Sequence, residues 1–93
     1  MLEPRRFRLE LGHLLATANA VQTLDPPSIQ TALERHARGD WGELDQEDRI
    51  TNNQALRDGG RLLSVYRDSS GTKFYIVTEA DRRITTVLLP EDY

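Results

Sequence analysis

Apolar and polar positions along the chain change period twice. Residues 6–11, RFRLEL, alternate polar and apolar side chains, the two-residue period of a half-buried strand, and Gly12 interrupts it. LLATANAVQTL then reads as a short helix of small residues. From Asp25 the period lengthens: Ile29, Ala32, Leu33, His36 and Ala37 recur at the spacing of one helix face. Asp25 is a natural N-cap, and Pro26–Pro27 suit a first turn whose N–H groups have no helical partner. Gly39 suits the left-handed position that ends a helix. DQEDRITNNQALRDGG repeats this grammar, with Asp45 as cap, Glu47 and Asp48 in the positive first turn and Gly59–Gly60 as the stop. Its inner stripe is thin. Asn52 within that stripe predicts an amide that bonds nearby backbone, because an unpaired buried amide costs about 1–3 kcal/mol.

The last third returns to period two. RLLSVYR, TKFYIVTE and RITTVLL are rich in β-branched and aromatic residues, and DSSG and EADR separate them. These segments predict an antiparallel meander that ends at Pro90, which cannot extend a ladder. Both faces of its last two strands are partly apolar. The second face therefore needs cover from a helix, the N-terminal strand or a second subunit. We expect one small α+β domain over residues 1–93: an N-terminal strand and two to three helices packed on a C-terminal three-stranded antiparallel β-meander.

Charge sharpens this picture. Net charge is −3, and it is unevenly placed. Residues 1–24 carry three arginines against two glutamates, residues 25–60 four basic against eight acidic side chains, and residues 61–93 five against five. Nucleic-acid binding draws much of its affinity from phosphate neutralisation, so direct nucleic-acid binding is the weaker reading, although Arg5, Arg6 and Arg8 or Arg82 and Arg83 form local basic patches. An acidic surface fits a basic protein partner better, for example a nucleic-acid-handling protein. The chain has no cysteine, which excludes disulfides and thiolate chemistry and makes the cytoplasm the expected compartment. No apolar run approaches the ~18–20 residues of a membrane span, and the N-terminus lacks a signal-peptide core and reads as mature protein.

The blocks RHARGDWG, ALRDGGRLLSVYR, TEADR and TTVLLPEDY, with LGHLLATANA near the start, resemble a family of small uncharacterised proteins encoded on bacterial plasmids and other mobile elements. The resemblance spans nearly the whole chain. It departs most in the N-terminal block, where Thr-Ala-Asn-Ala stands in place of a Pro-Gly turn. It implies a bacterial protein travelling with mobile DNA, a class of cargo that includes inhibitors of host defence and toxin–antitoxin components. At the level of architecture alone, strand, two helices and meander are also similar to small ribonuclease toxins that cleave messenger RNA on ribosomes. Those toxins are typically basic, whereas this chain is acidic, and fold likeness does not carry function.

The densest polar stretch is RHARGDWGELDQED, residues 35–48, with five carboxylates in nine residues. Asp45, Glu47 and Asp48 are explained by capping and the helix dipole, leaving Asp40 and Glu43 without a local reason. Trp41 between Asp40 and Gly42 reads as an anchor over the helix–helix joint. Its other reading is as part of an interaction surface with Asp40 and Glu43, since aromatic anchors are enriched at interfaces. His36 shares a helix face with Ile29 and Leu33, the setting of a packed histidine holding a hydrogen bond. Its catalytic reading groups it with Glu79, Arg82 and Thr85 of TEADRRITT as an acid, a base and a phosphate-binding guanidinium. The plain reading of that segment is a polar hairpin in which Glu79 pairs with Arg82 and Asp81 bonds its own backbone. No Gly-rich phosphate loop or nucleophile elbow occurs, and His13 and His36 without cysteine are no metal signature, so neither cofactor nor metal is expected. The leading expectation is a non-enzymatic protein-interaction module acting through the acidic helix–turn–helix region or an open sheet face. The alternatives are a toxin-like ribonuclease and a homodimer that buries its own sheet face.

Overall fold

Capping chemistry sets the helix boundaries in the computed structural model, which describes residues 8–93. The Asp25 carboxylate accepts from the Ser28 amide at 3.0 Å, and α2 runs Pro26–Ala37 with both prolines in its first turn. Asp45 accepts from the Asp48 amide at 2.8 Å, and α3 runs Gln46–Asp58 until Gly59 takes the left-handed conformation. A shorter helix, α1 (Ala18–Thr23), precedes them. Thr17 caps it by accepting from the Ala20 amide.

The three predicted meander strands form as β2 (Leu62–Arg67), β3 (Lys73–Thr78) and β4 (Ile84–Leu88), each antiparallel to the next. A 3₁₀ turn at Pro90–Asp92 follows. The sheet is larger than the expected three-stranded meander and is mixed. A fourth strand, β1 (His13–Ala16), adds beside β4 in parallel, giving the order β1-β4-β3-β2. This corrects both the strand count and the position of the N-terminal strand. Residues 8–11 of RFRLEL are not a strand, and Arg6 and Phe7 lie outside the described residues. HLLA carries no alternation to announce it. Its pairing comes instead from Gly12, whose positive φ of 67° lets the backbone turn tightly against Arg83, where an added Cβ would lie 2.2 Å from the carbonyl oxygen. The His13 amide then donates to the Arg83 carbonyl at 2.8 Å and the strand zips along β4 to the Thr17–Val87 bond.

Register divides the sheet into two faces. Leu62, Ser64, Tyr66, Phe74, Ile76, Thr78, Thr85 and Val87 point to one side, and α1 and α2 cover it with Ala20, Leu24, Ala32 and the flanking Ile29 and Leu33. Leu63, Val65, Tyr75, Val77, Thr86 and Leu88 point to the other side. There Val77 and Leu88 are buried while Leu63, Tyr75 and Thr86 remain half-buried, with Ala55, Leu56 and Tyr93 packed nearby. Trp41, Leu44 and Leu9 close a second apolar cluster around Leu62 and Val65 at the β2 side.

The two outer edges of the sheet are treated differently. On β2, the Val65 amide donates to the Trp41 carbonyl at 3.2 Å and the Glu43 amide donates to the Val65 carbonyl at 2.8 Å, a one-residue parallel bridge centred on Gly42. One turn further, the buried Asn52 amide donates to the Leu63 carbonyl at 2.5 Å and accepts from the Leu63 amide at 3.3 Å. On β1, β4 is the one strand neighbour among the described residues, and all four residues are exposed.

Candidate functional site

The four residues proposed as a catalytic group do not meet at a surface. His36 is fully buried between α2 and the sheet, where its ring nitrogens lie 2.5 Å from the Ser64 hydroxyl and 2.8 Å from the Thr78 hydroxyl. Thr78 in turn lies 2.8 Å from the Thr85 hydroxyl, which donates to the Leu11 carbonyl at 2.7 Å. That last bond fixes the direction of the whole chain. Thr85 gives its proton to a carbonyl, so it accepts from Thr78, which accepts from Nε2–H of His36, whose Nδ1 accepts from Ser64. The imidazole is therefore the neutral Nε2–H tautomer with both nitrogens engaged. Burial, with the nearby positive charge of Arg82, pushes its pKa down to about 4.

Arg82 and Glu79 are committed elsewhere. Arg82 adopts a positive φ of 64° in the β3–β4 turn, and its guanidinium donates to the carbonyls of Gly60 at 2.6 Å, Ala55 at 3.1 Å and Glu79 at 3.2 Å. It thus caps the negative end of α3. The Glu79 carboxylate pairs with Arg61 at 3.4 Å, so the predicted Glu79–Arg82 contact runs through the Glu79 backbone and not its side chain. Asp81 does bond its own turn, accepting from the Arg83 amide at 3.0 Å. Of the four, the structure joins only His36 and Thr85, through Thr78, inside the core.

The proposed surface of Asp40, Trp41 and Glu43 needs a correction at its centre. Trp41 is 3% exposed, its ring edge packs on His36 with centroids 5.6 Å apart, and its indole N–H donates to Asn53 at 3.0 Å. It fastens the α2–α3 joint and offers no exposed ring. Gly42 explains why: at φ +71° it presses against β2, where a Cβ would lie 2.0 Å from the Val65 carbonyl oxygen, drawing the indole inward. Asp40 forms a two-point pair with Arg35, at 2.8 and 3.2 Å, and Arg35 holds its carboxyl below the usual carboxylate range. Glu43 pairs with Arg67 at 3.1 Å.

A different cavity brings the acidic turn and the open sheet face together. Beside the start of α3 lies a groove of about 310 Å³. Leu63, Val65, Tyr75 and Tyr93 form its apolar floor, with Tyr75 and Tyr93 edge to face at 5.5 Å. Glu43, Asp45 and Asp48 stand on its rim; among the described residues Lys73 is the one basic lining residue, and Glu43 is already paired with Arg67. Glu79 serves this region indirectly, holding Arg61 whose guanidinium lies 5.6 Å from the Tyr93 ring. A second depression of the same volume, beside Arg35, Tyr66 and Arg67, has both guanidinium groups already engaged by Asp40 and Glu43.

Sequence reading missed Tyr75, Tyr93, Lys73, Ser64 and Thr78. A serine and two threonines on a face otherwise apolar were the available sign of the buried network. Nothing local announced the groove, because its lining comes from four separate places in the chain, residues 43–48, 63–65, 73–75 and 93. Among the described residues no group of three metal-ligating side chains occurs and no helix is long and apolar enough to cross a membrane. No family model, curated protein or solved structure matches the chain.

Proposed function

We propose that the chain is a non-enzymatic protein-interaction module that seats a basic, extended segment of a protein partner in the groove between α3 and the open sheet face. The observation that carries this reading is an acidic rim standing over an aromatic and aliphatic floor. A lysine or arginine matches both layers: its methylene stem lies on Tyr75 and Leu63, and its charge meets Asp45 and Asp48. The burial of His36 and Thr85 supports binding over the ribonuclease alternative, because neither group faces a substrate. With the resemblance to proteins of mobile elements, the partner class we favour is a host defence or nucleic-acid-handling protein, whose own basic surface complements this groove.

Fluorescence anisotropy with a short Lys/Arg-rich peptide tests the reading. Saturable binding that weakens with salt is expected, with Asp48→Lys and Tyr75→Ala each raising Kd by about tenfold, the equivalent of roughly 1.4 kcal/mol. Equal affinity for the wild type and both variants, or no saturation, would overturn it.

A further inference from the structure

Of the six large hydrophobic residues exposed among the described residues, four sit at the opposite end of the sheet from the groove: Leu14 and Leu15 on β1, Ile84 on β4 and Val21 on α1. Backbone direction shows what this edge offers. The His13 and Thr17 amides point at β4, so by strand alternation the N–H and C=O groups of Leu14 and Ala16 point away from it. Among the described residues this strand edge is open, and an open edge flanked by apolar side chains is a template for another strand.

We propose that the β1 edge pairs with β1 of a second copy, antiparallel across a two-fold axis, joining two four-stranded sheets. Only one register uses both outward residues. Leu14 faces Ala16 of the copy and Ala16 faces Leu14, each pair exchanging N–H···O bonds in both directions. Leu15 then lies on the axis opposite its own equivalent, and His13 lies opposite Thr17.

Charge supports a copy as the occupant. At the His13 end of β1 stand Arg8 and Arg83 with Glu10 and Asp81, a balanced set in which the Arg83 side chain is 83% exposed. At the Thr17 end stand Glu91 and Asp92, and Asp92 accepts from the Thr17 hydroxyl at 2.6 Å and the Asn19 amide at 2.7 Å. Antiparallel pairing sets the end carrying the exposed Arg83 of one chain against the acidic end of the other, twice. Parallel pairing would set the two acidic ends against each other. The self-complementarity that a two-fold interface requires is thus present along a single strand. This inference goes beyond the groove reading and stands or falls separately from it.

The absence of cysteine makes the register directly testable. In an antiparallel pair, residues facing each other without mutual hydrogen bonds have Cα atoms about 4.5 Å apart, within disulfide reach. Leu15→Cys should form a disulfide-linked dimer under mild oxidation at least about tenfold faster than Ile50→Cys, an equally exposed position on α3. Sedimentation should show the wild type associating reversibly with concentration, and Leu15→Lys, which places two like charges on the axis, shifting to monomer. Cross-linking of Leu15→Cys no faster than Ile50→Cys, or a wild type that stays monomeric across the concentration series, would overturn the proposal.

Discussion

The two edges of this sheet have the same backbone chemistry and opposite fates. On β2, the outward residues Leu63 and Val65 are bonded by the Asn52 side chain and by the Trp41–Glu43 backbone. On β1, the outward groups belong to Leu14 and Ala16, and the exposed side chains beside them are leucines. The difference shows where the chain has spent its specificity. The acidic turn that dominates the sequence works largely as an internal strand substitute: Gly42 gives the close approach, Trp41 locks the joint, and Asp40 and Glu43 are held by Arg35 and Arg67. Between the edges, the Ser64–His36–Thr78–Thr85–Leu11 chain runs across the covered face and ties one side to the other.

Breaking the closed edge should have the largest effect. Gly42→Ala puts a methyl 2.0 Å from the Val65 carbonyl oxygen at a positive φ, and should lower stability by roughly 3 kcal/mol or more in urea unfolding. Acid should act next through the seam between the edges. The native pKa of His36 is about 4 against an unperturbed 6.5, so between those values the unfolded chain binds the proton that the native state refuses. Stability is then full above pH 6.5 and falls as pH drops towards 4, by about 3 kcal/mol, and His36→Gln should flatten that slope. Asp25, Asp40 and Asp92 have lowered pKa values through Ser69, Arg35 and Thr17 respectively, so they add losses only in more acidic solution. Asn52→Ala strips Leu63 of both edge bonds and should cost about 2 kcal/mol. The smallest changes are expected at exposed sites. Asp40→Asn should cost below about 1 kcal/mol, and Leu14→Lys at the open edge should leave the stability of the isolated chain within about 0.5 kcal/mol.

Local signals were strong wherever one residue type answers one backbone need. Asp25 and Asp45 as caps, Gly59 as a stop and alternation in β2, β3 and β4 were all readable, and so was an amide at Asn52 seeking backbone. β1 was not, because four residues of HLLA owe their strand to a neighbour about 70 positions away and to the turn at Gly12. Trp41 reads from sequence first as an anchor over the helix–helix joint and second as surface with Asp40 and Glu43; its ring turns inward, and the polarity around it serves the ion pairs and the helix start. His36 was placed on the right helix face, but the serine and threonine that occupy its nitrogens come from two different strands, and Thr85, which continues the chain, from a third. The groove was legible only in halves: an acidic turn and a half-open sheet face, with no local reason to join them.

Amide hydrogen exchange at several protein concentrations tests the contrast between the edges most directly. Leu63 and Val65 should be protected at every concentration, because their partners belong to the same chain, whereas Leu14 and Ala16 should exchange rapidly in dilute solution and slow as concentration rises. Leu14 and Ala16 exchanging at one rate throughout, fast or slow, would contradict the account.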